Sequence, residues 1–198
     1  MPEVLQFDAE SHTYTAGGRV VPSVTQLLKK YGVVDDTWFN PESRIRGRHV
    51  HTATQLIDEH RLDWGSIDPK IRAYVEAYKR FRREVDLTID LIESASYDPK
   101  RWYAGTLDRT AWYHGNLILF DIKTGQKPPW VALQLAAYRN LLKIKEIHIS
   151  GCFCLNLRGD GTYRFEQIPT IQIVQGWKEF EAITVVDRLG RKYNPKKD

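Results

Sequence analysis

Sulfur is scarce in this chain of 198 residues: two cysteines and one methionine. Both cysteines fall in Ile149-Ser150-Gly151-Cys152-Phe153-Cys154-Leu155. That run reads as a strand, so the two thiols share a face, and a disulfide between positions i and i+2 is geometrically poor. Two cysteines cannot build a four-cysteine zinc or iron–sulfur site. They read as small core residues of a protein in a reducing compartment. Long apolar runs are also missing. No stretch approaches the ~18 consecutive apolar residues of a membrane span. The start, Met1-Pro2-Glu3-Val4-Leu5-Gln6-Phe7, has no basic segment followed by an apolar core, so no signal peptide is expected. A soluble, cytoplasmic protein is the expectation.

What is present is a globular composition, with 42% hydrophobic and 12% aromatic residues, enough in a chain of this length for one domain with a real core. The net charge is +4. Its cations are grouped: Arg44, Arg46, Arg48 and His49; then Lys79, Arg80, Arg82 and Arg83; then Arg188, Arg191, Lys192, Lys196 and Lys197. Phosphate backbones attract such clusters, and the first makes Arg44, Arg46 and Arg48 candidate DNA contacts. The competing reading is a solvated helix face or, for the last group, a frayed tail.

The chemistry concentrates in two short runs, Gly105-Thr106-Leu107-Asp108 and Leu117-Ile118-Leu119-Phe120-Asp121-Ile122-Lys123-Thr124. Tyr113-His114-Gly115-Asn116 between them is a turn signal. With His114-Gly115 as the turn, Asp108 falls directly opposite Asp121, at a Cβ separation of ~5 Å where like charges repel. Lys123, two residues on, projects on the face of Asp121. A Gly115-Asn116 turn would instead set Asp108 opposite Lys123 and keep the cluster. A one-residue slip would send Asp108 to the other face. Two carboxylates and a lysine on one patch call for a hard cation with oxygen ligands, Mg²⁺ or Mn²⁺. The competing reading is a pair of exposed strand carboxylates and a solvated lysine. Phe120 and Ile122 flank Asp121 with apolar bulk, and a carboxylate on a buried strand needs a partner.

The element pattern places these runs in a mixed sheet. A hairpin is expected over 4–21 around Ala16-Gly17-Gly18, then a helix from Val24 to Tyr31 capped by Ser23, and a loop over 32–43. Helices follow over about 43–60 and 69–85, the latter opened by Pro69. Its Ile71, Tyr74, Tyr78, Phe81 and Val85 repeat at helical spacing and read as a core-facing stripe, not a base-stacking platform. Strands are expected over 87–94 and in the hairpin 102–123, a helix over 130–142, strands over 146–157 and 162–168, and a last helix over 171–189. The fold class is therefore α/β, a mixed β-sheet with helices on its faces. No internal boundary divides it, so 1–198 reads as a single domain: N-terminal hairpin and helices to 86, a core over about 87–157, and a C-terminal hairpin and helix over 158–198.

In order along the chain stand Gly47-Arg48-His49-Val50-His51, Glu93, Gly105-Thr106-Leu107-Asp108, Asp121-Ile122-Lys123-Thr124-Gly125 and Gln134-Leu135-Ala136-Ala137-Tyr138. In order and spacing these resemble the PD-(D/E)XK nuclease superfamily, with its restriction-endonuclease-like fold, in the RecB-like and Cas4-like exonuclease branch. They span 47–138, about half the chain. Pro22-Ser23-Val24-Thr25-Gln26-Leu27-Leu28 is similar to the entry segment of the mitochondrial genome maintenance exonuclease and of phage-encoded exonucleases. The Asp-x-Lys alone occurs by chance in many proteins; the five elements together are specific.

The resemblance implies a divalent-metal-dependent DNA exonuclease acting on ends or single strands, in recombination, repair or phage DNA processing. Asp108 and Asp121 would be metal-binding carboxylates, the Ile122 carbonyl a further ligand, and His51 would complete the shell. Of His49 and His51, two residues apart on a helix, one must face away. Lys123 would polarise the attacking water and offset charge on phosphorus. Gln134 and Tyr138, four apart on one helix face, would line the site. Glu93 would lie near one or two ions, with Glu84 competing for that role and Asp90 a further acidic neighbour. Some relatives carry four cysteines around an iron–sulfur cluster; this chain lacks them, so none is implied. Without a Walker loop, unwinding would fall to a helicase or recombination protein as partner. Two other functions remain open: a DNA-end-binding scaffold without catalysis, and an endonuclease on the same fold.

Overall fold

The computed structural model describes residues 3–8, 11–34 and 41–194. Residues 35–40 of the expected loop and the tail lysines Lys196 and Lys197 lie outside them.

The N-terminal segment forms three strands where two were expected: β1 (Leu5–Asp8), β2 (Thr13–Ala16) and β3 (Arg19–Val21), paired antiparallel in that order. The turn at Gly17-Gly18 is the expected one. The additional strand is held where Phe7 pairs with Tyr14 and their rings stack at 4.6 Å. Helix α1 (Val24–Lys30) begins with a capping box. The Gln26 amide donates to Ser23 Oγ at 3.1 Å, and the Ser23 amide donates back to Gln26 Oε1 at 2.7 Å. Helices α2 (Pro41–Asp58) and α3 (Pro69–Glu84) follow; Asp68 caps α3 ahead of Pro69.

The main sheet has five strands in sequential order: β4 (Leu87–Asp98), β5 (Tyr103–Tyr113), β6 (Asn116–Thr124), β7 (Gly151–Leu157) and β8 (Tyr163–Ile168). All neighbours are antiparallel except β6 and β7. That parallel pair needs a crossover, which α4 (Val131–Ile144) supplies. Strand β7 starts at Gly151 and not at 146. Glu146 takes a left-handed φ of 63° and the Ile147 amide returns to the Leu142 carbonyl, so these residues terminate α4 instead. Strand β4 runs on to Asp98, past the expected Ser94, and α5 (Thr170–Tyr193) outruns the expected end at 189.

The sheet is covered on both faces. Leu119, Cys152, Cys154 and Tyr103 pack with α1, α4 and α5. Ile118, Phe120, Ile122, Leu155 and Leu157 pack with α2 and α3. Alternation along β6 therefore sends Leu119 to one layer and Phe120 to the other. Both cysteines are buried and free, as their position on one strand face implied. Among the described residues, no helix is long and apolar enough to cross a membrane.

Candidate active site

The β5–β6 turn decides the register. His114 and Gly115 have φ of 47° and 73°, both left-handed, the signature of a two-residue hairpin turn matched to strand twist. Tyr113 then pairs with Asn116, and the ladder runs to Arg109 opposite Phe120. One step further is Asp108 against Asp121. There the main-chain pairing gives way, and the Ile122 amide donates to the Asp108 carboxylate at 2.6 Å. A side chain has replaced a backbone acceptor, so the two strands open where the acidic residues sit.

Asp121 is buried, 1% exposed. Its Oδ2 lies 2.7 Å from Lys123 Nζ, yet among the described residues neither oxygen has a hydrogen-bond partner of good geometry. Burial pushes this carboxyl up to about 6, against the pull of the Lys123 charge. Burial lowers Lys123 in turn, but Asp121 and then Asp108 outweigh it and hold the ammonium charged. Lys123 Nζ also donates to Gln134 Oε1 at 3.0 Å, and Gln134 Nε2 donates to Tyr138 Oη at 3.1 Å. Asp121, Lys123, Gln134 and Tyr138 thus form one chain of polar contacts from β6 to α4. Gly105 makes room for it: a Cβ there would stand 2.6 Å from Tyr138 Cε1.

The third side of the site comes from α2 and β4. His51 Nδ1 lies 3.6 Å from Asp108 Oδ1 and 3.8 Å from Glu93 Oε1. His49 is exposed, so His51 is the inward histidine of the pair. Burial alone would lower the His51 imidazole; the Asp108 charge, then Glu93, override it and push it up to about 9. Glu93 sits in a left-handed conformation, φ 43°, just past the register shift between Ile89 and Ile92. That irregularity brings its carboxylate to Arg109 and His51, within 4.8 Å of Asp108. Glu84 instead pairs with Arg80 and accepts from the Tyr163 hydroxyl, and Asp90 accepts from Thr110. Neither joins the cluster.

His51, Glu93 and Asp108 each offer a ligand atom within 4.8 Å of the others. Asp121 lies outside that group and is turned to Lys123. One imidazole, two further carboxylates and a buried Asp121 without good donors suit a hard divalent cation such as Mg²⁺ or Mn²⁺. The donor set fits such an ion at His51, Glu93 and Asp108, with Asp121 adjacent.

No protein-family model matches the sequence, and no curated protein matches it. Solved structures do. One, a "Putative exonuclease" from Eubacterium rectale, superposes with a TM-score of 0.53 over 87% of this chain and 74% of its own, at 11% identity. At that identity the likeness concerns the fold. A second, SSO0001, covers 79% of this chain and 82% of its own at 11% identity, with a TM-score of only 0.32. The chain shares the α/β fold of the first of these structures.

Sequence reasoning missed the support beneath the cluster. Arg109 is completely buried. Its guanidinium donates to Asp58 Oδ2 at 2.7 Å, to Glu93 Oε1 at 2.9 Å and to the Asp108 carbonyl at 2.6 Å. Asp58, also unexposed at its side chain, accepts from the Tyr78 hydroxyl at 2.5 Å and pairs with Arg82 at 3.0 Å. This network fixes Glu93 from behind. The signal was available: an arginine inside a strand expected to be buried demands a carboxylate.

Of the basic candidates, Arg44 and Arg48 are exposed on the first half of α2. Arg46 is half-buried, and its guanidinium lies 5.3 Å from the centre of the Tyr74 ring.

Proposed function

We propose that this chain is a divalent-metal-dependent DNA exonuclease of the PD-(D/E)XK superfamily, in the RecB-like branch. The observation that carries the reading is the junction of two groups at one strand opening. His51, Glu93 and Asp108 come together on one side. Asp121, Lys123, Gln134 and Tyr138 are linked on the other. The fold's likeness to a structure described as an exonuclease supports it.

His51, Glu93, Asp108, Asp121 and the Ile122 carbonyl are the groups that would hold Mg²⁺ or Mn²⁺. Such an ion supplies charge neutralisation at the phosphodiester and lowers the pKa of water. The chain's own contribution is positioning. Lys123 brings a compact positive charge to the phosphate and the attacking water. Gln134 fixes that ammonium through its carbonyl oxygen, and Tyr138 holds the Gln134 amide in turn. The Tyr138 hydroxyl stays protonated, because burial pushes it well above its ordinary value. Arg44, Arg46 and Arg48 lie on the helix that carries His51 and would meet the DNA backbone. Recombination, repair or phage DNA processing, with a helicase or recombination protein as partner, suits this activity.

The test is digestion of end-labelled linear single-stranded and duplex DNA beside a closed circular single strand, with Mg²⁺ or Mn²⁺. Metal-dependent loss of the linear substrates alone is expected. Cutting of the circle makes the protein an endonuclease. Binding without any cleavage makes it a scaffold.

A further inference from the structure

Past Lys123 the chain runs through Gly125, Gln126 and Lys127 into an open groove of about 480 Å³. Tyr74, Lys127, Asn156, Arg158, Arg164 and Glu166 line it. Asn156 is the parallel-ladder partner of Lys123, and its amide donates to the Gly125 carbonyl. The groove therefore begins one turn of chain from the candidate active site, at the carboxyl ends of β6 and β7, where open α/β sheets bind ligands.

Its charge is positive: Lys127, Arg158 and Arg164 against the single carboxylate Glu166. Glu166 lies 2.6 Å from Arg164 and 3.5 Å from Lys127, so one cationic charge is offset and two remain. Its aromatic wall is Tyr74. Helical spacing put this residue in the core stripe of α3, yet it is only half-buried. The facing residue is Gly159, whose missing Cβ would stand 3.0 Å from the Tyr74 hydroxyl. Arg46 approaches the same ring, and among the described residues its buried Nε has no hydrogen-bond partner.

We propose that this groove holds one nucleotide of a single DNA strand beside the scissile bond. The base would pack on Tyr74, and Arg158, Arg164 and Lys127 would meet the flanking phosphates. Aromatic faces combined with a basic track bind single strands without regard to sequence. A base paired and stacked within a duplex cannot pack on Tyr74, so the groove favours an unpaired strand. The proposal rests on the nuclease reading and adds its substrate class.

The experiment is fluorescence anisotropy of a labelled single strand and a blunt duplex, with EDTA present so that nothing is cut. Wild type is compared with Tyr74→Leu and with the double variant Arg158→Ala/Arg164→Ala. The arginines are exposed, so the double variant tests the groove even if Tyr74→Leu unfolds. Single-strand binding should weaken roughly tenfold or more in Tyr74→Leu. In the double variant the salt dependence should fall by about 1.4 in log–log slope, ~0.7 for each lost phosphate contact. Duplex binding should change less. Single-strand binding that ignores these substitutions would overturn the groove alone, and equal losses on the duplex would overturn its strand preference. A wild-type protein that binds duplex but no single strand would overturn the groove alone, and one that binds neither would remove the nuclease reading as well.

Discussion

Arg109 Nε and Asp58 Oδ2 meet at 2.7 Å with neither side chain exposed to solvent, joining β5 to the end of α2 beneath the acidic cluster. Such a pair adds little net stability over apolar residues of the same shape, but breaking it strands a buried charge at a cost of about 3–5 kcal/mol. Asp58→Ala should therefore lower the unfolding free energy by roughly that amount. Denaturant titration measures it. A loss below about 1 kcal/mol would mean that Arg109 finds other partners.

Gly105 should tolerate no side chain without loss of function. Its absent Cβ is where the Tyr138 ring edge lies, 2.6 Å away. Gly105→Ala should cost about 1–3 kcal/mol by overpacking. It should also pull Tyr138 from Gln134, so nuclease rate falls while the fold persists. Full activity with normal stability would show that Tyr138 does not position the chain of contacts to Lys123.

Metal binding should depend on His51 without depending on His49. Isothermal calorimetry with Mn²⁺ should find affinity weakened at least tenfold in His51→Ala and unchanged in His49→Ala. Equal affinities in both variants would remove His51 from the ligand set.

The cysteines give a pH prediction. Burial pushes Cys152 and Cys154 up to about 12. Unfolded thiols ionise near ~8.5. The folded thiols thus stay neutral where unfolded ones ionise, so their contribution to stability is complete below ~8.5 and is lost as pH climbs toward 12. At pH 8 a thiol reagent should leave the native protein unlabelled and modify two thiols after denaturation. Rapid labelling of native protein would place at least one thiol at the surface.

Much of this site is written in local pattern. The His114-Gly115 turn sets Asp108 against Asp121, period-two alternation brings Lys123 to the same face, and a four-residue helical step aligns Gln134 with Tyr138. What local pattern lacks is distance. Arg109 and Asp58 are 51 residues apart, and nothing between them announces the meeting. The left-handed Glu93 arises from a register shift against β5, which depends on two strands at once. Tyr74 obeys the helical period but stays only half-buried, its hydroxyl end set against Gly159 in the turn between β7 and β8. Expected strand and helix ends also moved, since pairing and capping set them, as at Phe7 and Glu146.

The most direct test of the account is the rate of metal-dependent digestion of end-labelled linear DNA by Lys123→Ala beside wild type, with DNA affinity measured on both. Lys123 is half-buried among Asp121, Gln134 and the Trp130 ring, 5.5 Å from that ring's centre, and the proposed function places it at the reacting centre more than on the binding surface. The expected rate is lower by about 10²–10³, the usual cost of one stabilising donor, with affinity changed no more than a few-fold. Wild-type digestion rates in Lys123→Ala would contradict it.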